Sequence, residues 1–202
     1  WLLLNGHSTG GLLAALYGHR GLYRKNINAL FLNSPFLDMN IPAWQLHLLV
    51  PLLSRLGKIF PYLRYPGISP AYAESIHADY HGQWQFKTDW KPIAGFPVYA
   101  GWFRAIHKAQ AEIAKGLDIK CPCLVMHSSR SHRMEKWSPD AQYCDIVLNI
   151  ADIQRLSPGL GKQVEILAIQ DGLHDLTLSN ETARKEVWQK LSGWLDRIGK
   201  NN

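Results

Sequence analysis

The chain has 202 residues, enough for one well-buried domain and too few for two large ones. It is 47% hydrophobic and 19% charged, the mix of an ordinary globular protein, with no internal repeat and no low-complexity segment. The net charge is +6, but no run of Lys or Arg exceeds two residues, so the charge reads as a solvated surface with mild attraction to anionic surfaces or substrates, and no nucleic-acid partner is expected.

Trp1-Leu2-Leu3-Leu4-Asn5 is a short apolar run without a polar helical face and predicts a buried strand. Gly6-His7-Ser8-Thr9-Gly10 follows and fits G-x-S-x-G. Gly11 to Tyr17 predicts a helix closed by Gly18 or Gly21. Asn28 to Ser34 is a second apolar strand ended by Pro35, and two strands joined by one helix form a right-handed unit of a parallel sheet. From about Met39 to Asp118 no alternating pattern is strong, and the excursion is too long for a loop. Within it, Ile41 to Phe60 (interrupted by Pro42 and Pro51), Ser69 to Gly82 and Val98 to Lys115 predict helices, and Gln83 to Pro97 is irregular and aromatic. Further strands are expected at Cys123–Ser128 and Val164–Ile169. A closing amphipathic helix is expected from Glu181 to Ile198, with Val187, Leu191, Trp194, Leu195 and Ile198 on one face. This order predicts an α/β fold, with a core of residues 1–38 and 119–202 and an inserted helical lid over 39–118.

The strand–turn–helix setting gives the G-x-S-x-G its chemical meaning. A serine on that turn has its hydroxyl pushed clear of the backbone, and glycines at Gly6 and Gly10 are expected to supply the room. The helix start behind it offers free N–H groups to a developing negative charge.

With the helical insertion and the late Gly172-Leu173-His174-Asp175, these residues resemble the α/β-hydrolases, in particular the monoacylglycerol lipase, lysophospholipase and serine aminopeptidase-like branch. The resemblance covers essentially the whole chain and maps Trp1 onto the strand that leads to the nucleophile. Because the chain opens on Trp1 inside an apolar strand, it is expected to be the C-terminal part of a longer protein whose earlier strands, and one of two oxyanion donors, lie upstream.

The resemblance implies a serine hydrolase of carboxylic esters with a small, lipid-like substrate and no cofactor. Ser8 would be the nucleophile and His174 the base that takes its proton, with the Thr9 N–H one oxyanion donor. The acid is harder to place. The family carries Asp shortly after the strand that ends near Ser128, yet here no carboxylate appears before Glu135, and Asp140, Asp145 and Asp152 follow. Asp145-Ile146-Val147 resembles the Asp-x-Val that opens the next helix in relatives, so Asp145 is preferred over Asp140; the competing role for either is a helix cap. Amide or peptide cleavage by the same residues, and a non-catalytic binding protein of the same fold, are the alternatives.

Other groupings carry less. His77 and His81 have the i, i+4 spacing of zinc ligands but lack a neighbouring Glu and a third ligand, so no metal is expected. Cys121, Cys123 and Cys144 form no framework and suit a reducing, cytoplasmic setting. His7 is expected to pack away from the site. Trp84, Phe86, Trp90, Phe96, Tyr99, Trp102 and Phe103 would form either an acyl pocket or the lid's own core. Leu46, Leu48, Leu49, Leu52, Leu53 and Leu56 are lid core or a face that touches a membrane surface, a contact that Pro51 and the mixed spacing do little to support.

Overall fold

The structure, a computed structural model, describes residues 1–41, 43–65, 67 and 69–199; of residues 43–47 it describes the backbone alone. Four parallel strands form the main sheet in the order β1 (Leu3–His7), β2 (Ala29–Asn33), β5 (Cys123–Ser128) and β6 (Val164–Ile169). Every residue of β2 and β5 is buried, as continuous apolar runs in a parallel sheet covered on both faces should be. The alternation of side chains divides them between two cores. Leu30, Leu32, Cys123 and Val125 pack with Leu12, Ala15 and Leu16 of α1 (Thr9–Arg20) on one face. Ala29, Phe31, Leu124 and Met126 pack with Val187, Leu191 and Trp194 of the closing helix on the other. A parallel sheet thus lies between helices on its two faces, the α/β architecture that the sequence predicts.

Between β2 and β5 lie α2 (Ala43–Ile59), the short strands β3 (Arg64–Tyr65) and β4 (Val98–Tyr99), α3 (Ala71–Ile76) and α4 (Ala100–Ile113). β3 and β4 pair antiparallel as a second, two-stranded sheet. α5 (Ile150–Leu156) precedes β6, and α6 (Glu181–Gly199) closes the chain.

Three expectations need correction. β1 begins at Leu3 and reaches His7, and Trp1 and Leu2 stand exposed before it, so apolarity alone misplaces that strand's start. The helix expected over Ser69–Gly82 spans only Ala71–Ile76, because His77 leaves helical geometry and the chain folds back to put the Trp84 N–H on the Ile76 carbonyl. Pro51 does not interrupt the helix expected around it; it sits inside α2. No helix among the described residues is long and apolar enough to cross a membrane.

Candidate active site

The site forms at the C-terminal ends of the parallel strands, where open α/β sheets place their ligands. Ser8 stands between β1 and α1 with φ 53° and ψ −120°, a conformation that costs a non-glycine residue about 1–3 kcal/mol. The fold holds it there with backbone bonds. Its N–H donates to the Asn33 carbonyl at 3.1 Å, and its own carbonyl accepts from Gly11, Leu12 and Phe36. A Cβ on Gly6 would lie 2.5 Å from the Gly10 carbonyl oxygen, and one on Gly11 would lie 2.8 Å from Pro35 Cβ. Gly10 itself faces open space, so the close approach needs Gly6 and Gly11 rather than Gly6 and Gly10.

His174 sits in the loop after β6 and is almost fully buried. Its Nε2 lies 2.9 Å from Ser8 Oγ and its Nδ1 lies 2.9 Å from Asp145 Oδ2. These partners assign the proton to Nδ1, which donates to the carboxylate and leaves Nε2 free to accept from the hydroxyl. The loop is fixed from below: the Leu173 N–H donates to Ser179 Oγ at 2.8 Å and the Leu176 N–H to Asn33 Oδ1 at 3.2 Å.

Asp145 is wholly buried. Its second oxygen, Oδ1, accepts from the Val147 and Leu148 N–H groups, each at 2.8 Å. Its backbone pairs with Arg130 and His132. It therefore closes a turn and does not open a helix. The next helix, α5, begins at Ile150 and is capped by Asn149, whose side chain accepts from the Ala151 N–H. Asp140 is exposed in a short 3₁₀ turn, while the His174 Nδ1 partner is Asp145. Thr9 is the first residue of α1, so its N–H has no partner within the helix.

His7 does not point elsewhere: it borders the site. Its ring centroid lies 4.7 Å from that of His174, and its Nδ1–H donates to the Asn33 carbonyl at 3.1 Å. Burial first, and the nearby His174 second, push its pKa down to about 4, so it is neutral near pH 7. Asp175 lies 3.9 Å from its Nε2. Burial works to raise the Asp175 carboxyl, but His7 and the hydrogen bonds from Thr177 and Asn33 more than offset it and hold it below the ordinary range. Tyr72 is the residue that the sequence does not mark. Its ring meets His174 edge-on at 5.3 Å, although it comes from α3, far along the chain.

Two cavities meet at Ser8. The first, about 480 Å³, is lined by His7, Tyr72, Lys91, Trp102 and His174 together with the Pro92–Tyr99 loop. The second, about 710 Å³, is lined by Thr9, Phe36, Met39, Ile41, Leu53 and Phe103, with Arg133 and Glu135 at its edge. The aromatics between β2 and β5 thus divide. Phe96, Tyr99, Trp102 and Phe103 line cavities, Phe86 packs on His77, Trp84 donates to the Leu178 carbonyl and Trp90 is exposed. Leu48, Leu49 and Leu52 are exposed, and the side chain of Leu46 lies outside the described residues. His77 accepts from the Asp79 N–H through Nδ1, while His81 stacks on Trp137, so the pair shares no helical face. Cys123 and Cys144 are buried free thiols and Cys121 is half-buried; burial pushes the Cys123 thiol up to about 12.

The chain resembles several solved structures. Monoacylglycerol lipase of Paleococcus ferrophilus superposes with a TM-score of 0.68 at 20% identity, over 97% of this chain and 68% of that one. A soluble variant of monoglyceride lipase from Saccharomyces cerevisiae, in complex with a substrate analog, gives 0.67 at 15% identity, over 98% and 65%. The esterase domain of a Rhodothermus marinus protein gives 0.52 at 15% identity, over 96% and 60%. This chain thus spans about two thirds of the length of the lipases it resembles. No curated protein matches it in sequence. The family model described as "Serine aminopeptidase, S33" matches residues 2–136, from the strand before Ser8 to beyond β5, and the chain belongs to this family of α/β-hydrolases.

Proposed function

We propose that the protein is a serine hydrolase that cleaves carboxylic esters of small, lipid-like substrates, the reading expected of the lipase and lysophospholipase branch. The observation that carries this is the unbroken line from Ser8 Oγ through His174 to Asp145, with both contacts at 2.9 Å. His174 Nε2 takes the hydroxyl proton as Ser8 Oγ attacks the carbonyl carbon. The oxygen of the tetrahedral intermediate gathers negative charge and is met by the Thr9 N–H and the start of α1. The imidazolium, stabilised by Asp145, returns its proton to the leaving alcohol, and an acyl-Ser8 ester remains. Water then gives a proton to His174 and attacks the acyl carbon, which releases the acid and restores Ser8.

Two cavities suit the two halves of an ester. The leaving alcohol must reach His174 Nε2, which places it in the first cavity. The acyl chain then occupies the second, which is the larger and lies on the Thr9 side. The family description raises aminopeptidase activity as a second reading. That chemistry needs a carboxylate to hold the substrate's terminal ammonium. The first cavity offers Lys91, the wrong sign, and Glu135 at the second shares its edge with Arg133. A binding protein without catalysis would not need a serine held in a strained turn against a buried base. The exposed Leu48, Leu49 and Leu52 of α2 would let the insertion rest on a lipid surface.

A fluorophosphonate probe tests the assignment. It should label Ser8 alone, and Ser8→Ala should abolish both labelling and hydrolysis of a p-nitrophenyl ester. Label that persists in Ser8→Ala, or an active protein that takes none, rejects it.

A further inference from the structure

We propose that Lys91 selects for a negative charge on the alcohol half of the substrate, so that the preferred esters are those whose leaving alcohol carries a phosphate or a carboxylate. This rests on the ester-hydrolase reading above, and it adds which end of the substrate is charged and which residue reads it.

The wall of the first cavity is largely apolar. Apart from the ring of His174 and the neutral ring of His7, Lys91 is the only charged side chain on it among the described residues. Its Nζ lies 5.2 Å from the centroid of Tyr72 and 5.3 Å from that of Phe86. Tyr72 in turn meets His174. Ring contacts therefore seat the ammonium on the wall beside the base. Two cation–π contacts hold a cation in place but do not replace a counter-ion. Among the described residues no carboxylate pairs with the Lys91 ammonium and no acceptor takes its Nζ–H groups; only the backbone N–H is bonded, to the Lys87 carbonyl. Asp175 is the carboxylate whose field reaches it, but Oδ1 of Asp175 already accepts from Asn33 and twice from Thr177, and Oδ2 faces His7. Burial pulls the Lys91 ammonium below its ordinary range, as expected of a cation partly stripped of water and not paired.

The second cavity makes the contrast. There Arg133 and Glu135 bring both signs, and Arg133 donates to the Asn40 carbonyl. An acyl chain meets no net charge on that side, whereas the alcohol meets an ammonium with three free donors. A charge-assisted bond to that ammonium is stronger than one to a neutral hydroxyl, so a substrate bearing phosphate or carboxylate gains more from it.

The test uses hexanoyl esters of glycerol, glycerol 3-phosphate and glyceric acid, short enough to stay monomeric so that micelle charge does not enter. The wild-type chain should favour the two anionic esters over the neutral one by about 10-fold in kcat/KM. The phosphate and carboxylate arms show which anion fits better. Lys91→Gln should abolish the preference and Lys91→Arg should keep most of it. Lys115→Gln removes an exposed charge remote from the cavity and should leave the ratio as it is. Equal turnover of all three esters, or a preference that survives Lys91→Gln, overturns the proposal while leaving the ester-hydrolase reading intact. If none is turned over, calorimetric titration of Ser8→Ala with hexyl phosphate and with hexanol decides. Tighter binding of the phosphate that is lost on adding Lys91→Gln supports the anion site on its own, and equal binding of the two overturns it.

Discussion

Asp145 holds His174 with one carboxylate oxygen and its own turn with the other: Oδ2 lies 2.9 Å from His174 Nδ1, while Oδ1 accepts from the Val147 and Leu148 N–H groups at 2.8 Å. The same side chain therefore fixes the imidazole's tautomer and is itself locked against rotation. Asp145→Asn retains an oxygen for the two amides only by turning its NH₂ toward Nδ1, which forces the proton onto the wrong nitrogen. We expect kcat to fall by about 10⁴-fold, with the fold retained. Asp140→Asn, on an exposed turn, should stay within about 2-fold of wild type. Steady-state hydrolysis of a p-nitrophenyl ester by both variants checks this, and the reverse ranking would move the acid to Asp140.

The glycines of the elbow are separable by stability. A methyl on Gly6 would strike backbone at 2.5 Å, where nothing flexible can yield. Gly6→Ala should therefore destabilise by about 2 kcal/mol or more and drag Ser8 out of place. Gly10 lies in the first turn of α1, and a methyl added there would meet nothing within 4 Å, so Gly10→Ala should raise stability by about 0.5–1 kcal/mol through helix propensity. Urea unfolding midpoints measure both. A tolerated Gly6→Ala would mean that the turn relaxes more freely than its contacts suggest.

The central strands can be read from sequence because β2 and β5 are continuous apolar runs buried on both faces. β1 is misplaced by two residues for the same reason inverted: Trp1 and Leu2 are apolar yet exposed, and apolarity alone does not report burial. Ser8 and His174 carry local marks, a G-x-S-x-G and a glycine-opened loop. Asp145 carries only the Asp-x-Val likeness, which points to a helix start where the chain makes a turn, and its setting is made by amides of that turn and by pairing with Arg130 and His132. Nor does any pattern within α3 or the Gln83–Pro97 stretch bring Tyr72 and Lys91 to the site. That placement depends on how the chain between β2 and β5 folds, including the pairing of β3 with β4 across a long sequence separation.

His7 makes stability depend on pH. Its folded pKa, depressed to about 4 chiefly by burial, lies below the ordinary value of 6.5. Between these two values the unfolded chain binds a proton that the folded chain refuses, so stability falls as pH drops from about 6.5 to about 4 and then levels off. The side chain is 31% exposed, which limits the loss to the order of 1–2 kcal/mol. Asp175, whose pKa is depressed, acts in a lower window: its contribution is present above its unfolded value and is lost as pH falls further, through the folded one. His7→Asn removes the first titration and weakens the depression of Asp175, whose window lies lower. The gap in urea midpoint between about pH 7 and about pH 4.5 should therefore narrow in the variant, and an unchanged gap would assign the pH dependence to other groups.

Tyr72 joins a useful ring to a costly hydroxyl. The ring meets His174 edge-on, at an interplanar angle of 81°, and seats Lys91. The hydroxyl oxygen is out of water, near the Asp175 backbone but without a hydrogen bond of good geometry. Burial, and then the charges of Asp175 and Asp145, push its pKa well above the ordinary value, so it does not ionise to relieve the cost. An unpaired buried hydroxyl costs about 1–3 kcal/mol, and its removal at constant shape recovers part of that. Tyr72→Phe should hold or raise stability by up to about 1 kcal/mol while keeping the ring against His174. Tyr72→Ala removes the ring as well, leaving a void beside His174, and should cost about 3 kcal/mol together with a large part of kcat. Thermal unfolding and ester turnover of the two variants separate the roles. A Tyr72→Phe chain that is less stable by more than about 1 kcal/mol would show that the hydroxyl is bonded after all, to the Asp175 amide that it approaches.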